Sequence, residues 1–517
     1  MRDENCLPAT GGPSKMVSMD HRRDARGEAA PALDKRPGQG SGYLHYSDAD
    51  FVRFEEALKR GGSREAVWRR RVGIYLSLIP PLEQRKRFRF GVSGILAEML
   101  RDWARSKRRA SPIPPADFFF LIFGALSKEY DSLKPVASAL SERGHSVTVL
   151  WVVDGREAAR ERLENWGGAR VVLMSRADLL GGARIFPVGA WCRALKVGLQ
   201  ALLALAREAE FRRALWKQRA RVASRLVNEE LWARFYASRL KTFRYRGVAF
   251  AADTSEPGAA LAEHACKQGW ASHHFLHGFA NLVHTRTLAE RVYCFSEPER
   301  EFFVDAGWPG DHVFADGHPR QQSIISEIEK RRTTVPNAGG LRVLFANQGV
   351  DGDYDEGHHA GTMEAVFTAI SRLGLAPAGF RIRLHPSANR AFDLGMCGRH
   401  SIDPGCVSSR PVAEDLAWCN VLITPWSTMA VEAAYAGCAL IWIAVGTFQF
   451  AVRERLIAAG YGEKAATAEG LVALLQRMAD ESVRARQIEA LQQKSRELGI
   501  INQRAADAAA ERMEAAG

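Results

Sequence analysis

Two short stretches carry residue types suited to holding an anion. One is "FRIRLHPSANR", Phe380 to Arg390, where apolar and basic residues alternate and the strand pattern stops at His385-Pro386. A proline biases the residue before it away from helical backbone. His385 is therefore expected at a strand end, where an imidazole can donate to a phosphate oxygen. The other is Thr424-Pro425-Trp426-Ser427-Thr428, which closes an apolar run and opens a helix. Ser427 and Thr428 stand where N-cap residues belong, and the free backbone N–H groups of a helix start bind anions. Taken singly, each stretch also has a plainer reading, a histidine capping a sheet edge and an ordinary capped helix.

The elements that must position these residues follow from periodicity. "DFFFLIFG" is a continuous apolar run of strand length, suited to a strand covered on both faces. "SLKPVASALSERG" places Leu133, Val136, Ala137 and Leu140 on one helical face and ends at Gly144; "HSVTVLWV" is the next strand. Strand, helix and strand at this spacing form a βαβ unit, which requires a parallel sheet. "GVAFAAD", "ASHHFL" and "RVYCFS" extend the sheet. The alternation restarts at "LRVLFANQG" and runs through "FRIRLHP", "NVLITPW", a helix over Met429 to Ala436, and "ALIWIAV". The fold class is therefore α/β, with two Rossmann-like doubly wound domains, an N-terminal helical extension and a helical insertion. The expected boundaries are a disordered tail over 1–45 and a basic helical extension over 46–115. An N-terminal domain spans 116–335, with the helical insertion at 186–245. A C-terminal domain spans 336–480, and one long exposed helix follows over 481–517. Ligands in such sheets bind at the carboxyl ends of the strands. His385 and Asn347-Gln348-Gly349 close strands there, and Ser427-Thr428 opens the helix after one.

Composition bounds the setting. With 517 residues the chain is too long for one core. Net charge is +12, from 71 basic against 59 acidic residues, which favours anionic partners. Eight cysteines without a CxxC spacing read as buried apolar residues in a reducing compartment. The N-terminus lacks an apolar signal-peptide core, and no apolar run is long enough to span a bilayer. The expected location is cytoplasmic, with peripheral contact at the inner face of the cell membrane as an addition. No motif for nucleic-acid recognition is present.

"FLHGFA" (Phe275 to Ala280), "FADGHPR" (Phe314 to Arg320), "RLHP" (Arg383 to Pro386) and "PWSTMAVEAAYAG" (Pro425 to Gly437) occur in that order. The set resembles bacterial GT-B glycosyltransferases that build surface polysaccharides: capsular Kdo transferases, polysialyltransferases and teichoic-acid glycerophosphotransferases. The resemblance covers about 245 to 460. It implies an inverting, metal-independent transferase that moves a sugar or polyol phosphate from a nucleotide-sugar donor to a glycan or lipid-linked acceptor. No cofactor is implied. The donor phosphate contacts it implies are His385, Ser427 and Thr428; Gly349, at a strand end, and Pro386, beside His385, are counted with them as donor-binding. Glu432, one helical turn further on, is read either as a ribose ligand or as a helix-pairing glutamate.

Inverting transfer needs a base opposite the departing phosphate, hence at a strand end of the first domain. His277 and Asp253 both fit, and His277 is preferred because its ordinary pKa suits neutral pH. Gly278 is expected to let the chain turn tightly beside it. His273 and His274 alternate to opposite faces of a strand and read as structural. The acidic loop Asp351 to His359 departs from calcium-loop geometry and reads as a mobile loop, not a metal site. Trp191, Leu195, Leu199 and Leu202 line one face of a basic amphipathic helix, which suits either anionic lipid or packing on its own domain. Two alternatives to transfer stay open: a nucleotide-sugar epimerase of the same build, and a non-catalytic nucleotide- or glycan-binding protein.

Overall fold

The computed structural model describes residues 112–123, 127–153, 166–174, 229–251, 256–281, 284–332, 340–349, 354, 356–375, 378–385 and 388–517. The expected tail, almost all of the basic extension and the amphipathic helix of Trp191 to Leu202 fall outside these residues. So do Asp253, Pro386 and the aspartates at 351, 353 and 355.

The first domain is a seven-stranded parallel sheet. Its strands are β1 (Phe118–Phe123), β2 (Val147–Val152), β3 (Arg170–Met174), β4 (Gly247–Phe250), β5 (Ala271–Phe275), β6 (Arg291–Tyr293) and β7 (Val313–Phe314). They lie in the order β3-β2-β1-β4-β5-β6-β7. β1 pairs with β2 and β4 along its two edges, and its run of apolar residues is covered on both faces by packed helices. Phe118, Phe120 and Ile122 pack against Leu133, Val136, Ala137 and Leu140 of helix α1 (Ser127–Glu142). Phe119 and Leu121 face the other way, onto Trp232, Phe235 and Tyr236 of a helix over 229–239 and onto α2 (Glu256–Gln268). That described end of the insertion packs on its own domain.

After β6 comes α3 (Glu297–Asp305); after β7 the chain enters α4 (Gln321–Arg332). The second domain contains β8 (Val343–Ala346), β9 (Phe380–Arg383), β10 (Val421–Thr424), β11 (Ala439–Ile443) and β12 (Glu463–Ala465), in the order β12-β11-β10-β8-β9. Every pairing is parallel. Its helices are α5 (Glu356–Leu373), α6 (Arg390–Arg399), α7 (Val412–Trp418), α8 (Met429–Tyr435), α9 (Ala451–Ala458) and α10 (Ala468–Ala479). α4 precedes the expected boundary at 335, yet its Ile324 and Ile328 pack with α7 and α8 of the second domain.

The expectation of one long exposed helix after 480 is corrected. The segment forms α11 (Glu481–Glu497) and α12 (Ala505–Ala516), with a crossover between them. Gly499 makes the break. Its φ is +73°, and a Cβ there would lie 2.7 Å from the Ala315 carbonyl oxygen. The crossover is held by Asn502 Nδ2 donating to the Asp316 carbonyl at 2.7 Å and by Gln321 Nε2 donating to the Ile500 carbonyl. α12 then returns to the first domain, where Ala506, Ala509, Ala510 and Met513 join the core under β1. Arg512 pairs with Asp316, and Glu514 accepts from Arg143 at 2.8 Å. Three buried alanines let the helix lie close against its neighbours, and they make its apolar stripe faint in sequence.

This packing predicts that Met513→Ala costs about 2–5 kcal/mol, as for other buried large-to-small changes. Urea unfolding measures it. An unchanged midpoint would mean that α12 is not part of the core.

Candidate functional site

The carboxyl edges of both sheets meet in a narrow cleft. His277 follows β5, Phe295 follows β6, and His318, Arg320, Gln321 and Ile324 follow β7. Thr428, Val431 and Glu432, after β10, line the opposing side. In the first domain the cleft lies toward β5–β7, to one side of the point where strand order reverses; in the second it adjoins that point through β10. In each sheet the chain leaves two neighbouring strands in opposite directions, at β1/β4 and at β8/β10, and a crevice opens where it does.

His277 has a defined tautomer. Its Nδ1 lies 2.8 Å from the carbonyl oxygen of Ala251, just past β4. A carbonyl only accepts, so Nδ1 carries the proton and Nε2 is the basic nitrogen. The loop that bears it is anchored from below by Glu299 of α3. One carboxylate oxygen accepts from Ala280 N at 2.9 Å, and the other from Phe295 N at 2.8 Å. Glu299 is fully buried, and burial pushes its pKa up to about 7 in spite of these bonds. From above, the ring of Phe279 packs 6.2 Å from Trp442 and 6.5 Å from Phe450 of the second domain. Gly278 does not serve as expected. It is not among the glycines with positive φ, and a Cβ there would meet nothing within 4 Å. The space beside it is open.

His273 and His274 are fully buried in β5, and burial holds both near pKa 3, so they are neutral. His273 pairs through Nδ1 with the Tyr293 hydroxyl at 3.0 Å.

On the opposing side the Ser-Thr pair divides its work. Ser427 Oγ accepts from Met429 N at 3.3 Å, and Ser427 N donates to Thr424 Oγ1 at 3.0 Å. Thr424 Oγ1 in turn donates to the Ala346 carbonyl at 2.9 Å, which ties the turn to β8. Ser427 is thus occupied as a cap, while Thr428 makes no capping bond and lines the cleft. Buried Arg453 braces the same turn through bonds to the carbonyls of Pro425 and Phe448, at 3.2 and 3.0 Å. Gly349 is buried at the end of the β8 segment, on the switch point. Glu432 is paired, but across the cleft, with Arg320.

His385 is half-buried at the carboxyl end of β9 and is not among the residues lining the cleft. β9 is the edge strand, with β8 between it and β10. At about 4.8 Å per strand, His385 sits roughly 10 Å to the side of the Thr428 strand. The two stretches expected to hold an anion thus share one sheet edge but not one cavity.

No protein-family model matches the sequence, and no curated protein matches it. Solved structures do match the fold. The UDP-GlcNAc 2-epimerase of Neisseria meningitidis, solved bound to UDP-GlcNAc, aligns with a TM-score of 0.50 at 11% identity, over 77% of this chain and 100% of that one. Anabaena Alr3699/HepE, in complex with UDP and glucose, aligns at 0.46 and 14% identity, over 77% and 99%. A glycosyltransferase from Rickettsia africae aligns at 0.46 and 10% identity, over 77% and 98%. The chain has the GT-B fold, two Rossmann-like domains facing across a cleft.

Sequence reasoning did not single out Arg320, His318 or Glu299. Arg320 and His318 lie in "FADGHPR", a stretch already noted, whose strand is only two residues long. His318 is buried and neutral. Burial lowers its pKa, Nδ1 accepts from Arg320 N at 2.9 Å, and Nε2 lies 3.1 Å from Ser132 Oγ. Glu299 had no signal, since a glutamate in the first turn of a helix is ordinary.

Glu299→Gln should destabilise the protein by about 1–3 kcal/mol, because an amide has one acceptor oxygen for two buried N–H groups. Its pKa is raised on folding, so the native state holds the proton longer. Wild-type stability should therefore fall as pH rises from about 4.5 through about 7. The gap to Glu299→Gln should narrow over that window. Urea midpoints at several pH values test this, and a gap that stays constant or widens contradicts it.

Proposed function

We propose that the chain is an inverting glycosyltransferase that binds a nucleotide-activated sugar in this cleft and passes the glycosyl group to an acceptor hydroxyl. One observation carries the reading. His277, its basic Nε2 set by the bond to Ala251, lines the same cavity as Thr428 and Glu432 of the other domain. His277 Nε2 takes the acceptor hydroxyl's proton as the oxygen attacks the anomeric carbon and the phosphate departs on the opposite face. The Thr428 hydroxyl donates to the departing phosphate, and Ser427 holds the turn. The uncapped oxygen of Glu432 accepts from a donor hydroxyl. His385 meets the donor from the flank, where it extends along the strand ends toward β9. The acceptor is a growing surface glycan or its lipid-linked form. Among the described residues no helix is long and apolar enough to cross a membrane, so peripheral contact would deliver a lipid-linked acceptor.

A second reading is epimerisation of the same class of donor without an acceptor. Glu129, in the first turn of α1 beside the β1/β4 switch point, favours it. It is a buried carboxylate, and burial raises its pKa to about 7. Epimerisation needs a second proton carrier in addition to His277; Glu129 Oε2 accepts from Phe123 N at 2.8 Å at the carboxyl end of β1, outside the cleft's lining residues. Donor turnover separates the readings: consumption only with acceptor indicates transfer, and a changed sugar without acceptor indicates epimerisation. Thermal shift with CMP-, CDP-, UDP- and GDP-activated sugars selects the donor.

His277→Ala should keep donor affinity and lose turnover by about a hundredfold or more. Wild-type rates in that variant would remove the base from His277. Gly278→Ala should leave the melting temperature unchanged, since its Cβ meets open space, and lower turnover where substrate fills that space. Turnover should survive EDTA, because hydroxyls and side chains meet the leaving group's charge. Loss restored by magnesium or manganese would point back to the aspartates at 351 to 355.

A further inference from the structure

An ion pair spans the cleft where the donor is proposed to lie. Arg320 follows β7 in the first domain, and Glu432 is in the first turn of α8 in the second. Arg320 Nη2 donates to Glu432 Oε1. Both residues line the cavity, and Glu432 is 6% exposed. Each keeps an unused group: Arg320 Nε and Glu432 Oε2 are buried without a hydrogen-bond partner. An arginine and a carboxylate left to themselves favour two parallel bonds, which would have used both atoms. That arrangement is not adopted here. Arg320 N donates to His318 Nδ1, and His318 Nε2 pairs with Ser132 Oγ, which anchors the backbone from which the guanidinium reaches Glu432. The result is a single-pronged pair with one donor and one acceptor left over at the cleft. Buried polar atoms in that state are suited to a third group that supplies the missing bonds.

We infer that Arg320 is the first domain's ligand for the donor phosphate, held by Glu432 while the cleft is empty and passed to the phosphate when the donor binds. The inference rests on the reading of the cleft as a nucleotide-sugar site. Guanidinium matches a phosphate's oxygens as well as it matches a carboxylate's, so two anions compete for one cation. In the empty cleft the pair masks the Glu432 carboxylate, which would otherwise repel an arriving anion. Once Arg320 turns to the phosphate, Glu432 has both oxygens available for donor hydroxyls. Because the partners sit on different domains, the exchange replaces one cross-domain contact by another that runs through the ligand. Donor binding is thereby coupled to the domain arrangement.

The test uses isothermal titration of the full chain with inorganic pyrophosphate, UDP and CMP. Pyrophosphate has no sugar hydroxyl for Glu432 to bind, so it reports chiefly on Arg320. Glu432→Gln removes the competitor and should tighten pyrophosphate by about tenfold. Arg320→Ala should weaken it by about ten- to a hundredfold, with Arg320→Lys in between. A mere strut between the domains would weaken binding or leave it unchanged in Glu432→Gln, and either result overturns the inference. If Arg320→Ala fails to fold, the Glu432→Gln result decides. Wild type and Arg320→Ala binding UDP or CMP equally well would overturn the role of Arg320 and leave the donor reading standing. Wild type binding none of the three phosphates would overturn both.

Discussion

Parallel strands impose the constraint from which the site follows. A parallel strand in the middle of a sheet must be covered on both faces, so β1, β8, β10 and β11 are almost wholly apolar and carry no chemistry along their lengths. Polar residues inside β5, such as His273 and His274, are buried, and the polar groups that line the cleft stand beyond strand ends. Two reversals of strand order, at β1/β4 and β8/β10, separate the loops at those ends and leave room for a ligand. The cleft is lined by the segments after β5, β6 and β7 in the first domain and after β10 in the second.

A loop at a strand end has no ladder of its own, so its rigidity must come from side chains. The loop after β5 takes it from three directions. Ala251 accepts from His277, Glu299 accepts from Ala280 and Phe295, and Phe279 packs onto the second domain. Burying a carboxylate under it is costly, and the raised pKa of Glu299 expresses that cost. The turn after β10 is built in the same way, with Thr424, Ser427 and Arg453 holding it so that Thr428 is left to face the cleft.

The chain crosses between the domains in both directions. α4 leaves the first domain and packs on α7 and α8, while α12 leaves the second and fills the first domain's core. Both crossings run past the segment from Ala315 to Gln321, whose carbonyls and side chains hold the second one. The same segment presents His318 and Arg320 to the cleft, so the residues that join the domains adjoin those that line the site.

The strands β1, β2, β4 to β6 and β8 to β11, the buried face of α1 and the strand-end placement of His277, His385 and Thr428 were legible in the sequence. Each depends on a segment's own alternation or on a local breaker such as His385-Pro386. β3, β7 and β12 were not: β3 and β12 are mostly part-exposed, and β7 is only two residues long. Alanine hid the buried stripe of α12. What only the tertiary structure decided is lateral position. Alternation tells a strand which faces are buried, but its neighbours are set by contacts between residues far apart in the chain. That is why the sequence placed His385 at a strand end, while the sheet placed that strand at the edge, one strand outside the cleft. It is also why Arg320 and Glu432, 112 positions apart, could be paired only by the closing of two domains.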